Sequence, residues 1–244
     1  MREAVTPDAW YGGVSLSEVL RYAGVKDERR CPDELRRDAA RAVREIVECA
    51  DPKQTSRECG ISFTEEGLLL DGLAVSSRDL AAHLQNCRRA LLFAATLGSG
   101  VDLRIMRWSA VKMSYAVLLQ AAAAALIECY CDSVCDALAE RYAAEGAFLL
   151  PRYSPGYGDF SLAYQKPLLE RMNAYKYAGI TVSGGGQMTP MKTVSAVIGI
   201  AREKPEDGGK VCGGKCARCP HTSCVFRRTE TTTTGGETND ENQG

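Results

Sequence analysis

Two stretches of the sequence combine residue types and spacings that suit chemistry. The first, RYSPGYGDF, begins at Arg152 and contains Gly156 and Tyr157. An arginine presents a planar fork of donors that suits a carboxylate, and main-chain amides beside a glycine are accessible to a ligand's polar edge. A tyrosine ring can pack on a purine or a cation. The same composition also fits an ordinary surface loop with a solvated arginine and tyrosines that fill the core.

The second stretch, CGGKCARCPHTSC, has the spacing C-x3-C-x2-C-x4-C. Four thiolates in one loop satisfy either a tetrahedral zinc ion or an iron-sulfur cluster, and the spacing leaves both open. The predicted metal ligands are Cys212, Cys216, Cys219 and Cys224. The other seven cysteines are scattered through segments that mostly resemble helices, where a reduced thiol behaves as a small buried hydrophobe. These are Cys31, Cys49, Cys59, Cys87, Cys129, Cys131 and Cys135.

Composition narrows the class of protein. The 244 residues are 45% apolar, enough for one sizeable core, and no long Pro, Gly or Ser linker divides them. Thirty basic and 31 acidic residues nearly cancel, which argues against a nucleic-acid partner. The longest apolar run, residues 116–127, is too short to span a bilayer, and the first residues do not resemble a signal peptide. We therefore expect a cytoplasmic protein with no membrane partner.

The spacing of apolar residues and the positions of Gly and Pro predict the helices and strands that position these residues. Apolar residues at helical spacing predict a helix over residues 31–51, and the span 101–145 has neither Gly nor Pro and predicts two helices. Ser77 is expected to cap a short helix that runs to Cys87. A hairpin or paired short strands are predicted over residues 61–75. A buried strand is predicted over residues 90–96, where periodicity alone also allows a helix.

The character of the sequence changes after Gly146. A Pro-punctuated loop is followed by a short helix, SLAYQKPLLERMNAY, and then by a β-like segment around a Gly-rich turn. Helices followed by strands favour an α+β fold over alternating βαβ units. The predicted organisation is one domain over residues 1–203, a Cys-rich metal-binding segment over residues 204–228 and a disordered tail over residues 229–244.

Two motifs in the carboxyl-terminal half carry a family resemblance. One is Arg152, Gly156 and Tyr157, and the second is Met188 and Pro190 leading into Thr193, Val194 and Ser195. In this order they resemble the activation domain of cobalamin-dependent methionine synthase, a module that binds S-adenosylmethionine. The resemblance is clearest over residues 90–201, where ATLGSGVD is similar to the small free-standing members.

The resemblance implies a fold and a site. The fold would be a single C-shaped α+β domain, with helices packed on a mainly antiparallel sheet. Arg152 would hold the ligand carboxylate, Ser154 and Gly156 would offer backbone contacts, and Tyr157 would pack on the ligand. Glu128 would face the positively charged end of S-adenosylmethionine. The chain departs from the family in two places: Gly-Asp-Phe follows Tyr157 where large members have an Ala-Cys-Pro type stretch, and the Tyr pair that large members carry in a longer final hairpin is missing.

The resemblance also implies partners. The chain has no Asp-x-His-x-x-Gly cobalamin signature and no room for a homocysteine or folate barrel, so it holds no complete catalytic core. It would support reductive reactivation of a cobalamin-dependent methionine synthase, or a related corrinoid protein, in trans, with a low-potential electron donor. Two alternatives stay open at this point: an iron-sulfur redox protein and a zinc-clipped protein-interaction module.

Overall fold

A computed structural model describes residues 10–203 of the chain. The helices in this range are α1 (Leu16–Tyr22), α2 (Asp33–Cys49), α3 (Arg78–His83), α4 (Ser99–Val111), α5 (Met113–Ala144), α6 (Gln165–Arg171) and α7 (Ala174–Ala178). The strands are β1 (Lys53–Phe63), β2 (Leu68–Leu70), β3 (Leu73–Val75), β4 (Cys87–Thr96), β5 (Phe148–Leu149), β6 (Thr181–Val182), β7 (Met188–Thr189) and β8 (Thr193–Ala201). The expected α+β fold, with helices on an antiparallel sheet, is confirmed.

The main sheet has the strand order β3-β2-β1-β4-β8-β5, and its neighbouring strands pair antiparallel. The central strand β4 pairs along most of its length with β1 and with β8, so that Ala94 lies opposite Thr55 and opposite Ser195. Strands β6 and β7 form a separate hairpin. The buried strand expected over residues 90–96 is present and begins three residues earlier, at Cys87.

Helices cover both faces of the sheet. One apolar core lies between the sheet and α1, α2, α4 and α5, and a second lies between the opposite face and α3, α6 and α7. Helix α5 is apolar around most of its circumference, as expected for a helix that neighbours surround. By length and composition α5 is the one described helix that could cross a membrane, but 61% of its most apolar window is buried inside the protein, as in a core helix.

The predicted helix boundaries agree with the structure in most places. Lys112 separates α4 from α5, and Gly146, with a φ of +71°, follows the end of α5. Ser77 caps α3 by accepting a hydrogen bond from the Leu80 amide at 3.0 Å. However, α3 ends at His83 rather than Cys87.

One expectation about elements was confirmed and another was wrong. The paired strands expected over residues 61–75 are present, since β1 pairs with β2 and β2 with β3, but β1 already begins at Lys53 with polar residues that gave no apolar signal. The prediction of a single helix after the Pro-punctuated loop is wrong: the segment forms a 3-10 turn (Leu162–Tyr164), α6 and α7, and Asn173, left-handed with a φ of +50°, separates α6 from α7.

The scattered cysteines behave largely as expected. All seven are free thiols, and five of them are buried: Cys31, Cys59, Cys87, Cys131 and Cys135. Cys59 and Cys87 lie on strands rather than in helices. The four clustered cysteines, the segment 204–228 and the expected disordered tail lie outside the described residues.

Candidate functional site

The position of Arg152 follows from strand pairing. Its neighbour Tyr153 forms an antiparallel bridge to Val197 on β8, with hydrogen bonds of 2.9 and 2.8 Å in both directions. Because successive side chains of an extended chain point to opposite faces, Tyr153 packs in the core on the α3 side while Arg152 points towards α5. The loop is thus attached to the sheet at the residue that follows its arginine.

Arg152 forms an ion-pair cluster with helix α5. One Nη2 atom donates to Glu128 at 3.0 Å and to Asp132 at 2.6 Å. The two carboxylates lie four residues apart, so they share one face of the helix. The arginine side chain is 1% exposed, whereas Glu128 and Asp132 retain 35% and 36% exposure. The alternative of a surface loop with a solvated arginine is therefore wrong, because Arg152 is buried and its charge is bound by the two helix carboxylates.

Glu128 and Asp132 line a groove with a volume of about 490 Å³ between α5 and the chain around Trp10 and Glu18. Its walls carry five carboxylates, four of them at intervals of four residues along α5. They belong to Glu18, Glu128, Asp132, Asp136 and Glu140. We call this feature the acidic groove.

The carboxylates of the acidic groove repel one another. Partial burial raises the pKa of Asp136 above its ordinary value, and the charges of Asp132 and Glu140 raise it further. Arg152 and Arg21, which lies 3.5 Å from Glu18, offset part of this negative charge. An excess of carboxylates in a concave site favours a cationic ligand.

The loop after Arg152 folds back on itself. The Tyr157 amide donates to the Ser154 carbonyl at 3.1 Å, and the Gly156 amide donates to the Phe160 carbonyl at 2.6 Å. Gly156 has a φ of +98°, a conformation that other residues rarely adopt. Tyr157 is 41% exposed, and its ring lies edge-on to Tyr153 with centroids 5.7 Å apart.

Asp159, one of the residues at which the chain departs from the family, holds this loop in place. Asp159 accepts hydrogen bonds from the Ser77 hydroxyl at 2.5 Å and from the amides of Arg78 and Asp79 at 2.8 and 3.2 Å. The Ser77 hydrogen bond in particular lowers the pKa of Asp159. Asp79 in return accepts from the Asp159 amide at 3.1 Å. The loop is therefore attached to the amino-terminal end of α3.

The second motif packs near the first turn of α4. Thr193 donates to Thr96 or to the Pro190 carbonyl, at 2.9 and 2.7 Å, and the Met191 amide donates to Asp102 at 2.8 Å. The stretch ATLGSGVD and the Met188–Ser195 motif are thus in contact, although they lie about 90 residues apart in the sequence. They join β4 and α4 to β8.

The structure brings together some of the predicted site residues. Arg152 and Glu128 are in contact, while Ser154, Gly156 and Tyr157 lie on the adjoining loop and do not line the acidic groove. All five stay predictions as ligand-binding residues. Asp132 and Asp136 were not among the predicted site residues, although acidic residues recur at every fourth position from Glu128 to Glu140 and signal a shared helix face. Within residues 10–203, no group of three or more His, Cys, Asp or Glu side chains has the arrangement of a metal site.

Comparisons with known proteins give one informative result. No family model matches the chain. No curated protein matches it either. Among solved structures, the chain is similar to the crystal structure of the MetH reactivation domain bound to AdoHcy, with a TM-score of 0.54 and 11% identity over 78% of each chain. At this identity the likeness establishes the fold, which is that of the MetH reactivation domain.

Proposed function

We propose that this protein binds S-adenosylmethionine in the cytoplasm and supports reductive reactivation, by remethylation, of a cobalamin-dependent methionine synthase or related corrinoid methyltransferase acting in trans. The observation that carries the proposal is the Arg152 cluster with Glu128 and Asp132, at the wall of an acidic groove. The fold supports it, because the solved domain of similar fold was crystallised with AdoHcy.

The charge of the acidic groove fits the ligand. S-adenosylmethionine carries a sulfonium and an ammonium group, against one carboxylate. Five carboxylates line the groove, and they favour the two positive groups of the ligand. AdoHcy has a neutral thioether in place of the sulfonium, so the same groove should discriminate between the two molecules.

The residues take distinct roles in this proposal. Glu128 and Asp132 face the positive end of the ligand, and Arg152 holds both carboxylates in position through Nη2. A side chain that is 1% exposed reaches a ligand poorly in this arrangement, so we assign Arg152 a positioning role in addition to the predicted contact with the ligand carboxylate. Ser154, Gly156 and Tyr157 supply the adjoining loop, and the half-exposed ring of Tyr157 offers a surface for the adenine.

The protein's own contribution is to bind and orient the methyl donor. A partner's corrinoid cofactor, when bound, would supply the centre that accepts an electron and the methyl group. The reaction needs a low-potential electron donor and a cobalamin protein, neither of which this chain provides among residues 10–203. The predicted iron-sulfur or zinc site at Cys212, Cys216, Cys219 and Cys224 lies outside those residues and stays a prediction.

Calorimetric titration tests ligand binding. We expect S-adenosylmethionine to bind more tightly than AdoHcy, because only the former presents a sulfonium to the carboxylates. Asp132→Asn should weaken S-adenosylmethionine binding roughly tenfold, about 1.4 kcal/mol, and AdoHcy binding less. Glu145→Gln is the matched control, since Glu145 follows the end of the same helix and does not line the groove. If neither S-adenosylmethionine nor AdoHcy binds, the proposal is refuted.

A second assay tests action in trans. The protein would be added to an inactive cobalamin-dependent methionine synthase whose own activation domain has been removed, together with S-adenosylmethionine and a chemical reductant. We expect recovery of methionine synthesis that depends on the added protein and is lower with Asp132→Asn. If the protein binds S-adenosylmethionine but methionine synthesis does not recover, the binding role stands and the reactivation role is refuted.

A further inference from the structure

Two carboxylates of the acidic groove, Asp136 and Glu140, are exposed and lie near the carboxyl-terminal end of α5. Neither forms an ion pair with another residue in the range 10–203, and the adjacent Arg141 lies 4.0 Å from Glu145 instead. The other three carboxylates of the groove share the two arginines described above. The five carboxylates therefore exceed the paired arginines by three negative charges.

A hydrogen-bond donor at the same groove also lacks a partner. Trp10 lines the groove and is 2% exposed, and its indole Nε1 donates to no acceptor among the residues that the structure describes. A buried donor without an acceptor is costly, so an occupant that brings an acceptor stabilises the groove. Carboxylates beside an indole N–H suit a ligand with several cations and neutral acceptors, which a basic peptide supplies through its side chains and its carbonyl groups.

The chain itself contains such a peptide after the described residues. Residues 208–228 include five Lys or Arg and no Asp or Glu. If the four cysteines of this stretch hold a zinc ion, the four thiolates and the ion together carry two net negative charges, and about three positive charges remain. This excess matches the negative excess of the groove. The cations are Lys210, Lys215, Arg218, Arg227 and Arg228. We call residues 208–228 the basic segment.

The chain leaves the sheet close to the acidic groove. Ala201, at the end of β8, pairs with Phe148 of β5. Phe148 follows the end of α5 by four residues, and Glu140 precedes that end by four residues. Strand spacing, chain length and helix rise together limit the distance from Ala201 to Glu140 to about 25 Å. Lys210 is nine residues beyond Ala201, a length of chain that spans up to about 30 Å, so the basic segment reaches the groove.

We propose that the basic segment docks in the acidic groove of its own chain. Its Lys and Arg side chains lie against Asp136, Glu140 and the carboxylates beyond them, and one of its carbonyl groups accepts from Trp10 Nε1. Electrostatic complementarity fixes the place of the contact. The cations make this contact rather than the metal, so Cys216→Ser combined with Cys219→Ser leaves it in place.

The docked segment competes with S-adenosylmethionine for the groove carboxylates. This consequence rests on the proposed function, whereas the contact itself does not. A tethered segment acts at an effective concentration of about 1 mM, so a contact with a dissociation constant of about 1 mM fills the groove half of the time. Such occupancy weakens S-adenosylmethionine binding roughly twofold.

The two other terminal stretches of the chain fit the groove less well. Residues 1–9 adjoin Trp10, but they carry Arg2 against Glu3 and Asp8 and bring no positive excess. Residues 229–244 contain four carboxylates and no Lys or Arg, so the groove repels them. They offer the basic segment a second anionic partner. The groove is the better partner, because its carboxylates are already fixed on one helix face and lose little freedom on binding.

Carbodiimide cross-linking, which joins a lysine amine directly to a carboxylate, tests the contact in the full-length protein. Lys112 and Asp38, whose charged atoms lie 3.9 Å apart, are the internal positive control. We expect mass spectrometry to find Lys210 or Lys215 linked to carboxylates of the acidic groove. A mixture of ¹⁵N-labelled and unlabelled protein distinguishes links within one chain from links between chains.

Charge reversal tests the competition. Lys210→Glu combined with Lys215→Glu removes much of the attraction and should strengthen S-adenosylmethionine binding roughly two- to fivefold in calorimetric titration. Lys166→Glu combined with Lys176→Glu is the matched control, because both lysines are exposed on α6 and α7, on the opposite face of the sheet. Elemental analysis checks that the two double variants hold the same amount of metal.

Three cross-linking results would overturn the docking of the basic segment in the groove. These are links mainly to residues 229–244, links only between chains, and no links to the groove although the positive control forms. Equal S-adenosylmethionine affinity in the two double variants would overturn the competition. If no variant binds S-adenosylmethionine, the proposed function fails, and the cross-links alone decide whether the basic segment docks.

Discussion

At the scale of single residues, the cluster of Arg152 with Glu128 and Asp132 governs the behaviour of the acidic groove. Its arginine is buried and its carboxylates are about one-third exposed, so the cluster joins the interior of the protein to the groove. Removal of the arginine's positive charge and removal of a carboxylate's negative charge should therefore have different consequences. We expect loss of the cation mainly to lower stability, and loss of a groove carboxylate mainly to weaken the proposed ligand binding.

We predict that Arg152→Met lowers the free energy of unfolding by about 2–3 kcal/mol, because Glu128 and Asp132 lose a buried hydrogen-bond donor and then repel each other. Urea denaturation measures the change. Arg88→Met is the control, because Arg88 is exposed. If the two variants unfold at the same urea concentration, the ion-pair cluster does not stabilise the fold.

Asp136→Asn should stabilise the free protein yet weaken its binding of S-adenosylmethionine. Burial and the charges of Asp132 and Glu140 raise the pKa of Asp136, so ionisation of Asp136 destabilises the folded state as pH rises through the raised pKa. Asp136 is exposed, and solvent screening should limit the gain at neutral pH to a few tenths of a kcal/mol. The gain should vanish near about pH 2, where the carboxyl is protonated in both states.

Urea denaturation across this pH range and calorimetry at neutral pH measure the two effects. A stability gain that persists in acid would show that charge is not its cause. Unchanged ligand affinity would place Asp136 outside the ligand's electrostatic reach.

At the scale of elements, the loop between Pro151 and Asp159 depends on α3 as much as on the sheet. Asp159 accepts from the amino-terminal end of α3, and His83 near its other end hydrogen-bonds to the Pro151 carbonyl at 2.9 Å. The loop between Pro151 and Asp159 is thus fixed at both ends by one short helix. Any change that separates α3 from the loop should displace Tyr157.

Gly158→Ala should be markedly more destabilising than Gly146→Ala. Both glycines have positive φ, +51° and +71°, so both substitutions carry backbone strain of about 1 kcal/mol. A Cβ at Gly158 would lie 2.0 Å from the Asp79 Oδ2 atom that accepts from the Asp159 amide, whereas a Cβ at Gly146 meets nothing within 4 Å.

The displaced Asp79 hydrogen bond should add about 1–2 kcal/mol to the cost of Gly158→Ala. Thermal or urea unfolding of the two variants measures the difference. Equal losses of stability would show that the contact between α3 and the loop relaxes without cost.

At the scale of the whole molecule, the predicted metal segment lies outside the residues that the structure describes. Residues 10–203 contain both cores and the acidic groove. The clustered cysteines follow this range in the chain. We therefore propose residues 1–203 as the ligand-binding domain and residues 204–228 as a distinct metal-binding segment.

Cys216→Ser combined with Cys219→Ser should remove bound metal and leave S-adenosylmethionine affinity nearly unchanged, because two of four thiolate ligands are lost outside the ligand-binding domain. Elemental analysis and calorimetry measure the two quantities, with Cys49→Ser as the control. If the metal is an iron-sulfur cluster that delivers electrons, the double variant should lose visible absorbance and fail to support reactivation. Zinc predicts colourless protein whose reactivation survives with an external reductant. Loss of S-adenosylmethionine binding in the double variant would show that the metal-binding segment and the ligand-binding site are one site.

Local sequence signals were sufficient for many elements. The absence of Gly and Pro between residues 101 and 145 predicted α4 and α5, Ser77 predicted the cap of α3, and the apolar run before Thr96 predicted β4. The Pro and Gly residues after Gly146 predicted the loop that carries Arg152, and this loop turns at Gly156 with a positive φ. Each signal acts between residues close in sequence, where dihedral preferences and side-chain periodicity decide the conformation.

Only the tertiary structure decided what Arg152 contacts and how deeply it is buried. Tyr153 pairs with Val197, 44 positions further along the chain, and this pairing turns Arg152 towards α5. In the same way, the polar start of β1 becomes a strand because its backbone pairs with β4, whose apolar side chains are buried. Pairing and burial between distant segments depend on the packing of the whole chain, which local periodicity does not encode.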